Sequence, residues 1–352
     1  MIAKLPRSTP SRGAGIAAGV AALLLAAAFV SMPAGTADAQ RAACTDPSRA
    51  LGVSRIVEID TTRGPRFGHQ QYKDLEFLAD GEIVLTFDDG PLRPFTQPVV
   101  DALEAECTKA TFFLVGSQAV ADPDMVKQIQ RKGHTVGSHT WSHANLRRGS
   151  PMKARHEMEL GFSAVKAAAG QPIAPFFRFP FLADTKAMLG YAEDRNYGVF
   201  SIEVDSLDYR SKDASAVHAE ILKQLAYRKK GILLFHDIQP ATAKALPGLL
   251  AALRQKGYRV VHIKPKSMAD SLPEFDAIAE AQMNRKRVAA SGNPMAKRSV
   301  TWAMPSPQTM QPGGPGQVGP ALRQPAAGVP VPAPVAVPAQ AAAVPLPAPL
   351  PA

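Results

Sequence analysis

Two carboxylates, Asp88 and Asp89, stand side by side in Thr86-Phe-Asp-Asp-Gly90, directly behind the apolar run Ile83-Val84-Leu85. A second polar cluster, His139-Thr-Trp-Ser-His143, also follows an apolar stretch. One carboxylate and two imidazoles make a set of three ligands for a divalent cation. The remaining carboxylate is then free to take a proton from a water beside that cation, which is hydrolase chemistry. Each motif has a plainer reading when taken alone. Asp-Gly behind a strand is ordinarily a turn, and an Asp there ordinarily caps a helix. Two histidines four apart share one face of a helical turn, and such a pair is often just surface. Adjacent like charges shift the balance, because they call for a cation between them.

Three further motifs end apolar runs. Arg178-Phe-Pro-Phe181 puts a guanidinium where it can hold a carboxylate bidentately, or form a surface ion pair. Asp205-Ser-Leu-Asp208-Tyr209 offers two carboxylates and an aromatic ring, with capping or turn roles as the plain alternative. Leu234-Phe-His236-Asp237 closes the most apolar of the strand-like runs in the domain. Its histidine reads either as a buried structural imidazole or as a general acid whose basicity a neighbouring Asp raises. Trp141 reads as groove lining or as packing.

The elements that must position these groups alternate. Strands are expected at Ile83–Phe87, Lys109–Val115, His134–Ser138, Phe176–Phe179, Val199–Val204, Ile232–Phe235 and Arg259–Ile263. Helices are expected between them, at Phe95–Glu106, Asp124–Lys132, Lys153–Ala169, from Asp184 or Thr185 to about Asn196, at Ala214–Lys229 and at Ala241–Gln255. Alternation of this kind predicts parallel βαβ units. About seven strands fit an α/β fold of the distorted (β/α) barrel type, with a doubly wound sheet as second choice. In a parallel barrel, groups at the carboxyl ends of strands converge on one face, however far apart they lie in sequence.

The rest of the chain bounds the setting. Lys4, Arg7 and Arg12, an apolar stretch at Ile16–Val30 and Ala37-Asp38-Ala39 have the layout of a secretory signal peptide over 1–39. An uncleaved anchor is the alternative, although that stretch is shorter than the roughly 20 residues of a membrane span. Either way the domain is expected outside the cytoplasm, in periplasm or beyond, without stable membrane insertion if the leader is removed. An exported protein can hold a disulfide, and Cys44 and Cys107 are the only cysteines. They are read as a pair or as two unpaired thiols. The chain of 352 residues carries a net charge of +10. That charge suits an anionic wall polymer or simple solubility, and no nucleic-acid-binding motif accompanies it. Residues 40–80 read as a polar lead-in, 81–266 as the catalytic domain and 267–304 as a basic, polar linker. Fourteen prolines from Pro305 to Pro351 preclude backbone ladders, so 305–352 reads as a disordered tail. It would be a spacer, a partner ligand or a passive end.

With its five motifs in order, the chain resembles the polysaccharide deacetylases of the NodB-homology family over Glu82–Ile263. The family's blocks TFDDG, H-T/S-x-x-H, R-x-P-Y, D-x-x-D-W and L-x-H correspond to Thr86–Gly90, His139–His143, Arg178–Phe181, Asp205–Tyr209 and Leu234–His236. Ala110-Thr-Phe-Phe113 and Gly133-His134 add to the likeness. The resemblance implies a metal held by Asp89, His139 and His143, usually zinc, with cobalt or nickel in some members. It implies Asp88 as general base, His236 as general acid and Arg178 as the residue that orients Asp88. Asp208, and less strongly Asp205, would tune His236, and Leu234 would receive the acetyl methyl. Phe181 stands for the family's Tyr and Tyr209 for its Trp, so both remain substrate-side positions, as does Trp141. The implied substrate is an N-acetylglucosamine-type polymer of the cell wall or envelope. An O-acetyl polysaccharide esterase and an inactive sugar-binding protein are the competing readings.

Overall fold

The computed structural model describes residues 46–73 and 76–290, with only the backbone of 287–290. The leader at 1–39, Cys44 and the proline-rich tail lie outside the described residues. Cys107 takes part in a disulfide. Among the described residues, no helix is long and apolar enough to cross a membrane.

Among the described residues, the first elements are a 3-10 turn at Pro47–Arg49, β1 (Arg55–Ile59) and β2 (Arg66–Phe67). Next come β3 (Glu82–Asp88), α1 (Arg93–Ala105), β4 (Thr111–Leu114), α2 (Gly116–Ala121), α3 (Pro123–Arg131) and β5 (Thr135–Ser138). These are followed by α4 (Pro151–Ala169), β6 (Phe176–Phe177), α5 (Lys186–Asp194), β7 (Gly198–Phe200) and β8 (Val204–Asp205). The last elements are α6 (Ala214–Arg228), β9 (Gly231–His236), α7 (Pro240–Gln255), β10 (Arg259–Pro265) and α8 (Pro273–Ala290). Side-chain caps start several of the helices. Asp122, Ser150, Thr185 and Asp213 each accept a hydrogen bond from an amide of the first turn of α3, α4, α5 and α6, respectively.

All strand pairs are parallel. β3 pairs with β4, β4 with β5, β5 with β6 and β6 with β7. β7 and β8 are two halves of one run, and β8 pairs with β9, which pairs with β3 along Ile83–Asp88. The path therefore returns to its start as a distorted barrel. Alternation along the strands sorts the core into two. Ile83, Leu85, Phe87, Phe112, Leu233 and Phe235 face the helices in the larger cluster. Val84, Phe113, Phe176, Phe200 and Ile232 fill the barrel interior. Because the period is two, Val84 on the inner face places Asp88 there as well, and Ile232 does the same for Leu234 and His236.

Three expectations are corrected. The strand at 259–263 does not join the ring: β10 pairs with Glu82 and Ile83 at the start of β3, and on its other edge with β1. Residues 40–80 are more than a lead-in, since β1 and β2 extend the sheet. They are too short and too irregular for a periodicity signal. The stretch 267–304, read as a linker, contains α8. Phe275, Ala279 and Met283 form its apolar stripe and join Val120, Leu160 and Ala164 in a satellite cluster. Lys166 on α4 pairs with Asp276 at 3.1 Å. That stripe is one residue per turn wide, which gives little contrast in a polar segment.

Candidate active site

At the carboxyl end of the ring strands lies a cavity of about 560 Å³, lined among others by Asp88, Asp89, His139, His143, Leu234 and His236. Asp88 and His236 are direct register partners at the ends of β3 and β9. Immediately after Asp88 the chain turns sharply, with Asp89 at φ 77°. Gly90 is required there, because a Cβ would fall 2.1 Å from an oxygen of Asp237. The turn aims the two neighbouring carboxylates at different partners.

Asp89 Oδ1 lies 3.2 Å from His143 Nε2 and 3.5 Å from His139 Nε2. It is buried and has no hydrogen-bond partner. A buried carboxylate oxygen left unsatisfied between two imidazoles is expensive unless a cation meets it. His139 is buried, and its Nδ1 lies 2.7 Å from the carbonyl oxygen of Arg178. Donation of the Nδ1 proton to that carbonyl leaves the Nε2 lone pair facing Asp89. Burial, reinforced by His143, holds His139 well below the usual imidazole range, and burial lowers His143 too despite the nearby Asp89 charge. Both shifts favour the neutral ring, the form that ligates a metal. One ligand atom of each of the three residues lies within 4.8 Å of the others, so the trio fits a divalent metal. The histidines converge without the helical turn that their spacing suggested. They sit in the loop after β5, bent by left-handed backbone at Thr140 (φ 68°) and His143 (φ 58°).

Asp88 is held apart from this trio by Arg178, whose side chain is fully buried. Its Nη1 donates to Asp88 Oδ1 at 2.8 Å and to Thr86 Oγ1 at 2.7 Å. Nε and Nη2 donate to the carbonyls of Phe200 and Ser201, and the guanidinium lies 4.4 Å from the Phe113 ring centre. Burial pushes Asp88 up to about 6, although the Arg178 charge opposes the rise.

Across the cavity, Asp208 is buried and accepts from His236 twice, from Nδ1 at 2.6 Å and from the backbone N–H at 2.7 Å. The Thr242 hydroxyl donates to the same carboxylate. Burial pulls His236 down, but the hydrogen bond and charge of Asp208 outweigh it and raise the ring to about 9. The folded value lies above the ordinary 6.5, so the stabilisation is complete below pH 6.5 and fades as pH rises through about 9. In metal-free protein, His236→Gln is expected to cost about 1.5–3 kcal/mol at pH 6. The gap in thermal midpoint between parent and variant should close by about pH 9. A gap constant over that range would contradict the pairing.

Phe181 (65% exposed) and Tyr209 (49% exposed) stand at the rim. Phe181 lies edge-on to His143 and Tyr209 edge-on to His236. Asp205 also lines the cavity, but its carboxylate accepts from the Leu207 amide and the Tyr209 hydroxyl, not from His236. Trp141 does not line the cavity. It packs against the satellite cluster beside α4 and α8, because the turn at Thr140 sends it away from the histidines. Asp237, for which the motif suggested no role, is fully buried beneath Gly90 and accepts from Thr96 Oγ1 at 2.6 Å. Burial pushes it up to about 7. Its position next to His236 was the available signal. Phe179 of the Arg178 motif lines the cavity too, as do Gln70 and Gln71, which nothing in the sequence marked.

A family model described as polysaccharide deacetylase matches residues 78–200. The chitin deacetylase of Colletotrichum lindemuthianum is 30% identical over 202 residues, which cover 54% of this chain and 80% of that protein. The chain belongs to the polysaccharide deacetylase family. Another member, the peptidoglycan-N-acetylglucosamine deacetylase PgdA of Listeria monocytogenes, is 34% identical over 181 residues. That alignment takes in 51% of this chain and only 38% of the Listeria protein. The structure of the Bdellovibrio bacteriovorus peptidoglycan deacetylase Bd3279 superposes with a TM-score of 0.56 at 28% identity, over 64% of this chain and 63% of that one. The polysaccharide deacetylase model ends at 200, so Asp208 and His236 lie beyond the family-matched stretch, and Gln70 and Gln71 lie before it.

Proposed function

We propose that the protein is a metal-dependent hydrolase that removes N-acetyl groups from N-acetylglucosamine-type polysaccharide and releases acetate. Relatives named as peptidoglycan-N-acetylglucosamine deacetylase, chitooligosaccharide deacetylase and chitin deacetylase support that substrate class. One observation carries the reading. The unsatisfied oxygen of Asp89 faces two imidazoles, while Asp88 beside it is tied to Arg178 and is left as the candidate base.

Asp89, His139 and His143 would hold the cation, with zinc the first choice and cobalt or nickel as alternatives. A divalent cation there supplies electrophilic polarisation of an acetyl carbonyl and makes water more acidic. Asp88 takes the proton of the attacking water. Arg178 keeps that carboxylate pointed into the cavity. The main-chain N–H of Phe181 is assigned to the developing oxyanion. His236, kept protonated by Asp208, gives its proton to the departing amine. Leu234 forms the apolar floor for the methyl group, and Phe181 and Tyr209 flank the sugar. Export, which rests on the 1–39 segment, would place this activity at the cell envelope.

Acetate release from N-acetylglucosamine oligomers tests the reading. Chelation is expected to lower the rate at least about 100-fold, with recovery on adding zinc, cobalt or nickel. Full activity in metal-free protein would overturn the metal-dependent reading. Faster release from O-acetylated xylan than from the oligomers would favour the esterase instead.

A further inference from the structure

One wall of the cavity comes from a segment that precedes the family-matched residues. Gln70 and Gln71 line it, in the turn beyond β2 and after Gly68 and His69. This segment is fastened to residues 201–202 of the ring. Ser201 N–H donates to the Phe67 carbonyl at 2.7 Å, and Gln70 N–H donates to the Ile202 carbonyl at 3.0 Å. Gly68, at φ 100°, permits the contact, since a Cβ there would lie 2.4 Å from the carbonyl carbon of Ser201.

The two glutamine side chains differ in what they are free to do. Gln71 is fully engaged. Its Nε2 donates to the Leu182 carbonyl at 2.7 Å and its Oε1 accepts from Ser201 Oγ at 2.8 Å. It thereby ties β2 to the turn that carries Phe181. Gln70 is exposed, and its side-chain amide makes no hydrogen bond among the described residues. Its backbone is fixed at the rim, and its carboxamide offers two N–H donors and an acceptor oxygen there. A group of that kind matches the hydroxyl and acetamido groups of a sugar.

We propose that Gln70 forms a saccharide subsite beside the metal trio, binding a ring that adjoins the one held in the cavity. This rests on the polysaccharide reading above. Oligomers of N-acetylglucosamine from dimer to pentamer test it in two ways. In acetate release, Gln70→Ala is expected to raise KM about five- to tenfold for the longer oligomers and to change kcat less than about twofold, the loss of one good hydrogen-bonding group. Gln71→Ala is expected to lower kcat as well, because it frees the Phe181 turn. Binding of the pentamer to metal-free protein, followed by NMR titration, reads the subsite without turnover, and Gln70→Ala should weaken Kd by the same factor. If Gln70→Ala matches the parent in Kd, the subsite is overturned. If the parent binds the pentamer, the variant binds it more weakly and neither releases acetate, the subsite stands and the enzymatic reading fails. If the parent binds no oligomer, both fail.

Discussion

Asp88→Asn is expected to leave the divalent cation bound and to lower acetate release by about 10³-fold, within the range contributed by a general base. Asn has the shape of Asp and can still accept from Arg178 Nη1, so the local geometry survives. It cannot take a proton. The cation is expected to stay because the proposed ligands are Asp89, His139 and His143, while Asp88 is tied to Arg178. Metal content measured beside turnover separates the two roles of the adjacent carboxylates. Loss of metal in Asp88→Asn would reassign Asp88 to the ligand set, and normal turnover would remove it as the base.

The second large effect belongs to Arg178. Its side chain is fully buried, and four protein groups depend on it: Asp88, Thr86 Oγ1 and the carbonyls of Phe200 and Ser201. Arg178→Met fills much of the volume but strands a buried carboxylate. Breaking such a pair costs about 3–5 kcal/mol. The cost depends on pH, because burial already raises Asp88 and the Arg178 charge is what restrains it. Without Arg178 the carboxyl rises further and is neutral in mildly acidic solution, where its burial is cheap. Denaturant unfolding of metal-free protein should therefore show a smaller gap between parent and variant at pH 5 than at pH 8. Residual activity should move to higher pH for the same reason. Arg178→Lys keeps the charge but loses the fork, and should fall between the two. A gap that is equal at both pH values would show that Arg178 acts by packing alone.

The sequence was most legible where chemistry coincided with periodicity. Asp88, Arg178, Leu234 and His236 all end or follow apolar runs, and a parallel α/β fold leaves the ends of such runs on one face. Strand alternation then fixes which side chains turn inward, and the register of Asp88 with His236 follows from two runs of similar length. Legibility failed where the backbone leaves standard geometry. The spacing of His139 and His143 fits a helix, but a left-handed turn at Thr140 brings the rings together and sends Trp141 to the opposite side. Gln70 and Gln71 lie in a turn beyond a two-residue strand, too short for any pattern, and reach the cavity only through tertiary pairing of 66–70 with 199–202. α8 was hidden for a third reason, since its stripe of Phe275, Ala279 and Met283 is narrow and its other faces are charged.

Arg178 reaches the two halves of the site through different atoms. Its guanidinium grips Asp88, and its own carbonyl oxygen receives the Nδ1 side of His139. A single amino acid thus sets both where the proton acceptor stands and how one ligand ring is rotated. If the proposed roles hold, a lineage that altered this one residue would have to rebuild base and metal cradle in the same step.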